Sequence, residues 1–315
     1  MHFEVEEYEN NVAENDVLVS VIIMAFNHEK YILKSLESVL NQKTNFTFEI
    51  ILGEDESSDK TREICIGFAK KYPNKIRLIL HSRENVIKIN GHPTGRFNFM
   101  CCLKKANGKY IALCDGDDYW IDPLKLQKQV DFLENNEEYC GCFHKTLTIN
   151  ETDKKPKLFP FREYNKQIFT FKDTISKKAL FHTSSFVFRA EKRVYSDDFM
   201  SIQSLDMVLF STIAKSGNLF LIDDFMSVYR VNANGVTRSI NHQRYHENRI
   251  ILMDYLMTIA EEKYFDYITK VKNFHVENLD LGQKNLKYNL LDHNNLLMKV
   301  VHKIRKTFNN LWKFK

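Results

Sequence analysis

The sequence predicts an α/β fold, a mostly parallel sheet flanked by helices with a helical extension at its C-terminal end. Two observations carry this. Strand-like and helix-like segments alternate four times between residues 17 and 135, the pattern of a parallel sheet with crossover helices. The strand-like segments are also continuous apolar, β-branched runs, as strands buried on both faces require.

Val17–Phe26 (VLVSVIIMAF) is the first such run, and Ile32, Leu33, Leu36, Val39 and Leu40 then recur at helical spacing. Phe48–Leu52 is the second strand and ends in Gly53-Glu54-Asp55-Glu56-Ser57-Ser58-Asp59, whose last three residues can each cap the following helix. Ile76–Leu80 is the third. Phe97–Lys105 reads as a helix stopped by Asn107-Gly108. Tyr110–Cys114 is the fourth strand and runs into Asp115-Gly116-Asp117-Asp118. Asp122-Pro123 then reads as a cap and first helical residue, opening a helix that carries Leu126, Val130 and Leu133.

Further on, Phe181–Phe188 reads as a strand and Leu205–Ile213 as a short helix ending near Gly217. Leu219–Ile222 and Met226–Val231 read as strands, and from about residue 242 the chain is helical. The expected organisation is an acidic leader (1–16), a main domain (17–240) with halves 17–135 and 136–240, and a helical region (241–315).

Composition narrows the function classes. The net charge of +4 is too small to suggest a nucleic-acid partner. Glycine and proline are scarce at 10 and 5 residues, while 24 Phe and 14 Tyr argue for a large core. The N-terminal residues lack a signal-peptide layout and no apolar run reaches about 18 residues, so a cytoplasmic location is expected. The six cysteines include no CxxC pair and are expected to be core residues. The 297–314 stretch places Leu297, Val301, Ile304 and Phe308 opposite Lys299, Lys303 and Lys306. It is either a basic amphipathic helix lying on the cytoplasmic face of the inner membrane or a terminal helix packed on the protein.

In parallel sheets ligands bind outside the carboxyl ends of the strands, and Asn27-His28, Glu54-Asp55 and Asp115–Asp118 all fall there. Three carboxylates within four residues repel one another unless a cation or donors neutralise them. Mn²⁺ or Mg²⁺ held by one or two carboxylates and substrate phosphates would do so; a solvated acidic turn is the alternative, which the shared rim disfavours. An EF-hand fails because its sixth position would be Trp120 rather than glycine. No GxGxxG or GxxxxGK(S/T) loop follows the first strand, which sets aside dinucleotide and P-loop chemistry. His28, His81 and His182 are expected to be ordinary histidines, without partners at metal spacing.

Val19–Asn27, Glu49–Thr61 and Ala106–Asp118 together resemble glycosyltransferase family 2, inverting enzymes of the GT-A fold, over residues 18 to about 135. The resemblance implies that Ala25 and Asn27 line a nucleotide pocket, with Glu54 and Asp55 near the uracil. It places Asp115 by the ribose and metal, Asp117 on the metal, and Gly116 and Arg96 in the donor site. Asp206, in Ser204–Phe210, would be the base that deprotonates the acceptor, and Arg230, in the closing strand, would pair with phosphate or form a structural salt bridge. Met24, Glu54, Glu56 and Asn232 depart from the family's proline, aspartate, glycine and histidine. The implied activity is metal-dependent transfer of a hexose or N-acetylhexosamine from a UDP-sugar to a glycan, with a polyprenyl-diphosphate-linked acceptor in O-antigen or capsule synthesis. A sugar-nucleotide pyrophosphorylase is one alternative, although it should carry a glycine-rich, basic first loop. A catalytically silent, membrane-associated assembly partner is the other.

Overall fold

The structure, a computed structural model, describes residues 5–13, 16–192, 202–232 and 242–279. The chain divides into two compact units, Met1–Asn241 and His242–Lys315. In the first, strands β1 (Val19–Ala25), β2 (Phe48–Glu54), β3 (Ile76–Leu80) and β4 (Tyr110–Asp115) pair in parallel in the order β3-β2-β1-β4. Val19, Val21 and Ile23 of β1 are wholly buried in one core, each worth about 1.5–3 kcal/mol of hydrophobic transfer. Helix α1 (Ile32–Leu40) buries Ile32, Leu36 and Val39, and α2 (Thr61–Lys71) buries Cys65 and Ala69. Helix α3 (Arg96–Lys105) lies against β2 at Gly53, where a Cβ would come within 1.8 Å of Asn98 Oδ1. Only glycine permits that approach, and Asn98 Nδ2 donates to the Gly53 carbonyl at 2.9 Å.

The second half of this unit departs from the expected elements. Tyr139–Asn150 is a twelve-residue strand, β5, absent from the sequence reading. The expected strand over 181–188 shortens to β6 (Val187–Arg189), preceded by a 3₁₀ turn at Thr183–Ser185. β6 runs antiparallel between β4 and β5 and joins the two halves of the sheet. Its Arg189 donates to the carbonyls of Tyr139 (2.9 Å) and Leu133 (2.6 Å). After helix α5 (Leu205–Lys215), the two expected strands merge into one long strand, β7 (Asn218–Val231), parallel to β5 and interrupted by register shifts.

Three boundaries also move. Helix α4 begins at Lys125 (Lys125–Asn135), because Asp122 Oδ1 accepts from Leu124 N and makes a turn there. Gly108 does not cap α3, which ends at Lys105 with Ala106 as its cap; it is glycine because a Cβ would lie 2.5 Å from the Ser20 backbone nitrogen. The acidic leader contributes Glu6–Glu7 as an antiparallel edge strand beside β3, with Glu7 paired to Arg77 and Lys105. All six cysteines are free and buried.

The second unit packs α6 (His242–Ile259) against α7 (Phe265–Glu277). Among the described residues no helix is long and apolar enough to cross a membrane. The basic tail 296–315 lies outside the described residues.

Candidate active site

Strands β1, β2 and β4 end at one rim, and their loops interlock there. Asn27, in the left-handed region at φ 54°, accepts from Ser58 N at 2.9 Å through its side chain, while its own N–H donates to Ser57 Oγ at 2.9 Å. Ala25, buried at the end of β1, accepts the Asp55 N–H at 3.0 Å. Gly116 N donates to the Met24 carbonyl at 2.9 Å, and a Cβ on Gly116 would sit 2.6 Å from that oxygen. Glycine thus lets the acidic turn lie directly on β1.

The three aspartates of that turn face different partners. Asp118 is fully buried, accepting Ser184 Oγ at 2.6 Å and the Arg230 backbone N–H at 2.9 Å, with His182 Nδ1 3.5 Å away. Asp117 is partly exposed; its Oδ2 accepts from Asn232 Nδ2 at 2.9 Å and its carbonyl accepts from Arg230 Nη1 at 2.8 Å. Ligand atoms of Asp115, Asp118 and His182 lie within 4.8 Å of one another. Burial pushes the Asp115 carboxyl up to about 7, and repulsion from Asp117 and Asp206 adds to it. Asp118 is raised well above the carboxylate range by burial and then by Asp117 and Asp115. Burial lowers His182 to about 3, so its ring is neutral and able to donate a lone pair. Crowded carboxylates with one neutral imidazole suit a hard or borderline divalent ion, because an added positive charge relieves the repulsion that raises them.

His182 corrects its sequence assignment: the turn at Thr183–Ser185 brings it to β4, a partnership across 64 residues that spacing alone does not reveal. Its ring also stacks on Tyr229 at 4.2 Å. Glu54 differs as well from the expectation of a uracil contact. It is completely buried, held by Arg62 and by Ser57 N at 2.8 Å. Asp55 is bound by Arg83 Nη1 at 2.9 Å, and the Arg83 guanidinium covers the exposed Phe26 ring at 4.1 Å. Neither Phe26 nor Arg83 is singled out in the sequence, although an aromatic placed directly after β1 is the available signal.

Arg230 is buried, with Nε 3.1 Å from Glu151 Oε1 and its guanidinium 4.4 Å over the Tyr119 ring. Those contacts occupy its planar fork and favour the salt-bridge reading. Arg96 opens α3 and is buried, which lowers its guanidinium to about 10 against the opposing pull of Asp206. Asp206 lies in the first turn of α5 and acts electrostatically on both Arg96 and Asp115. The rim therefore gathers Asp115, Asp117, Asp206, Arg96 and Arg230, while Glu54 turns inward.

A buried-strand sheet with an acidic turn at its carboxyl rim is the architecture of GT-A glycosyltransferases, and solved structures share it. Staphylococcus aureus TarS 1-349 in complex with UDP-GlcNAc superposes with a TM-score of 0.58 at 17% identity, covering 87% of this chain and 77% of that one. The mannosyltransferase PcManGT from Pyrobaculum calidifontis, solved with GDP-Man and Mn²⁺, gives 0.54 at 14% identity, covering 98% and 91%. Residues 20–198 match the family model Glycosyl transferase family 2, and the chain belongs to that family. A Mycobacterium bovis protein, Mb1547, is 34% identical over 221 residues, covering 70% of this chain. The chain spans 61% of that relative's length. Escherichia coli WfaP, a UDP-Glc:alpha-D-GlcNAc-diphosphoundecaprenol beta-1,3-glucosyltransferase, is 38% identical over 122 residues, covering 39% of this chain and 43% of WfaP.

Proposed function

We propose that this chain is an inverting, metal-dependent glycosyltransferase that moves a hexose or N-acetylhexosamine from a UDP-sugar to a glycan acceptor carried on a polyprenyl diphosphate. The observation that carries the reading is the convergence of Asp115, Asp117 and Asp206 at one strand rim, where Asp115 is driven toward protonation by burial and by its neighbours. The UDP-GlcNAc complex of TarS and the acceptor in the name of WfaP support the choice of donor and acceptor.

Asp115 and Asp117 would hold Mn²⁺ or Mg²⁺, which offsets charge building on the leaving diphosphate; Asp118 and His182 line the same space. Asp206 takes the proton from the acceptor hydroxyl as its oxygen attacks the anomeric carbon from the face opposite the leaving group. Arg96, buried with Asp206 acting on its guanidinium, places a positive charge near that carboxylate. Asn232 and Arg230 fix Asp117 through its carboxylate and its carbonyl. Phe26, backed by Arg83, offers a flat exposed face at the rim for a nucleobase, and Asp55 holds Arg83 in place.

The test is turnover of a panel of UDP- and GDP-sugars by the full chain with Mn²⁺, followed by Asp117→Ala and Asp206→Asn. Both variants should lose donor turnover while remaining folded. Turnover persisting in both overturns the site assignment. A wild-type chain that binds donor without consuming it would instead identify a silent assembly partner.

A further inference from the structure

The second unit holds a histidine cluster that the proposed transfer does not use. His242 and His246 stand one turn apart on α6, so their side chains share a face. Their Nε2 atoms are 3.2 Å apart. His246 reaches through its other nitrogen to the second helix, with Nδ1 2.9 Å from Nδ1 of His275 on α7. His242 is exposed, whereas His246 and His275 are buried. Tyr245 meets both buried rings edge-on, at 5.2 Å from His246 and 6.0 Å from His275, and Phe274 lies 6.3 Å from His246.

We propose that His242 and His246 form a binding site for a divalent transition ion of the Zn²⁺ type, through Nε2 of each ring, with His275 as the outer partner that orients His246. Zinc–imidazole bonds of about 2.0–2.1 Å place adjacent ligand nitrogens of a tetrahedral ion roughly 3.3 Å apart, close to the separation already present. The protons are consistent with this. A ring that ligates through Nε2 must carry its proton on Nδ1, and His246 Nδ1 faces His275 Nδ1, which can accept it when its own proton sits on Nε2. A histidine ligand whose second nitrogen is held by an outer partner is the usual arrangement around protein-bound metals. Exposed His242 gives the ion access and leaves the remaining coordination positions to water. Imidazole nitrogen selects Zn²⁺, Ni²⁺ or Cu²⁺ over Mg²⁺, so this site and the acidic rim would take different ions.

Calorimetric titration of the full chain with Zn²⁺, in excess Mg²⁺ to fill the carboxylate rim, tests the site. One Zn²⁺ equivalent is expected in the wild type. His242→Gln, at an exposed position that should not disturb folding, is expected to abolish it, as is His246→Gln. His275→Gln should weaken it about 10- to 100-fold, the usual effect of losing an outer partner, and His182→Gln should leave it intact. An unchanged isotherm in His242→Gln, loss of the equivalent in His182→Gln, or no Zn²⁺ uptake by the wild type overturns the proposal.

Discussion

The side-chain amide of Asn232 donates to Oδ2 of Asp117 at 2.9 Å, so the last described residue of the first unit holds one of the two partly exposed carboxylates that the sequence assigns to the metal. The amide satisfies one oxygen and leaves the other for a cation. Under the proposed role, Asp117→Asn should lower kcat/KM at least about 100-fold by weakening the hold on the cation that would offset charge on the leaving diphosphate. Asn232→Ala should weaken Mn²⁺ about 10- to 100-fold with a smaller effect at saturating metal. Titration of activity against Mn²⁺ concentration in both variants measures the two effects.

Metal affinity should fall in acid. The Asp115 carboxyl, raised to about 7 by burial and by its acidic neighbours, must lose its proton before it can bind a cation. Mn²⁺ binding should therefore weaken progressively below pH 7, by up to about tenfold per unit for one displaced proton. Binding followed by electron paramagnetic resonance at pH 6 and pH 8 gives the comparison, and equal affinities would contradict a role for this carboxylate.

Gly53→Ala should be costly although it adds one methyl group. Its Cβ would overlap Asn98 Oδ1 at 1.8 Å and crowd Cys102 Sγ at 2.5 Å, so α3 must shift off β2. The expected loss is about 1–3 kcal/mol, measured by denaturant unfolding. Because Arg96 opens the same helix, donor turnover should drop as well.

Lys125 is wholly buried with its ammonium 3.9 Å over the Trp120 ring, and burial lowers it to about 7. The unfolded chain keeps that proton up to roughly pH 10.4. Unfolding therefore takes up a proton between these values, and this residue's contribution makes stability rise with pH from about 7 upward. Lys125→Met should remove that dependence and stabilise the fold at neutral pH by several kcal/mol at most. Denaturation midpoints of both proteins at pH 6.5 and 8.5 check it: the difference between variant and wild type should shrink as pH rises.

What the sequence disclosed was local in character. The β-branched runs of β1 to β4 and the helices between them are set by periodicity within each segment, and their order places the acidic turn at the rim. The strand β5 escaped notice because Tyr139–Asn150 mixes Gly141, His144, Lys145 and two threonines, whose burial depends on pairing with β7, nearly 80 residues later. His182 was hidden for the same reason: its neighbours at Asp115 and Asp118 are distant in sequence. Glu54 shows the converse. It ends β2 at the rim, yet Arg62, eight residues on, holds the carboxylate inward. Glu56, with φ at 54°, occupies a left-handed position where the family carries glycine.

The placement of β6 has a consequence for synthesis on the ribosome. Strand β4 is complete once Asp115 has emerged, but the partner for its free edge, Val187–Arg189, is made some seventy residues later. Through that interval the nascent chain presents an apolar ribbon with open main-chain donors and acceptors, a template for wrong pairing. Shortening that interval by faster translation across 116–186, or supplying a chaperone that covers such edges, should raise the yield of native protein more than the same intervention applied after Arg189.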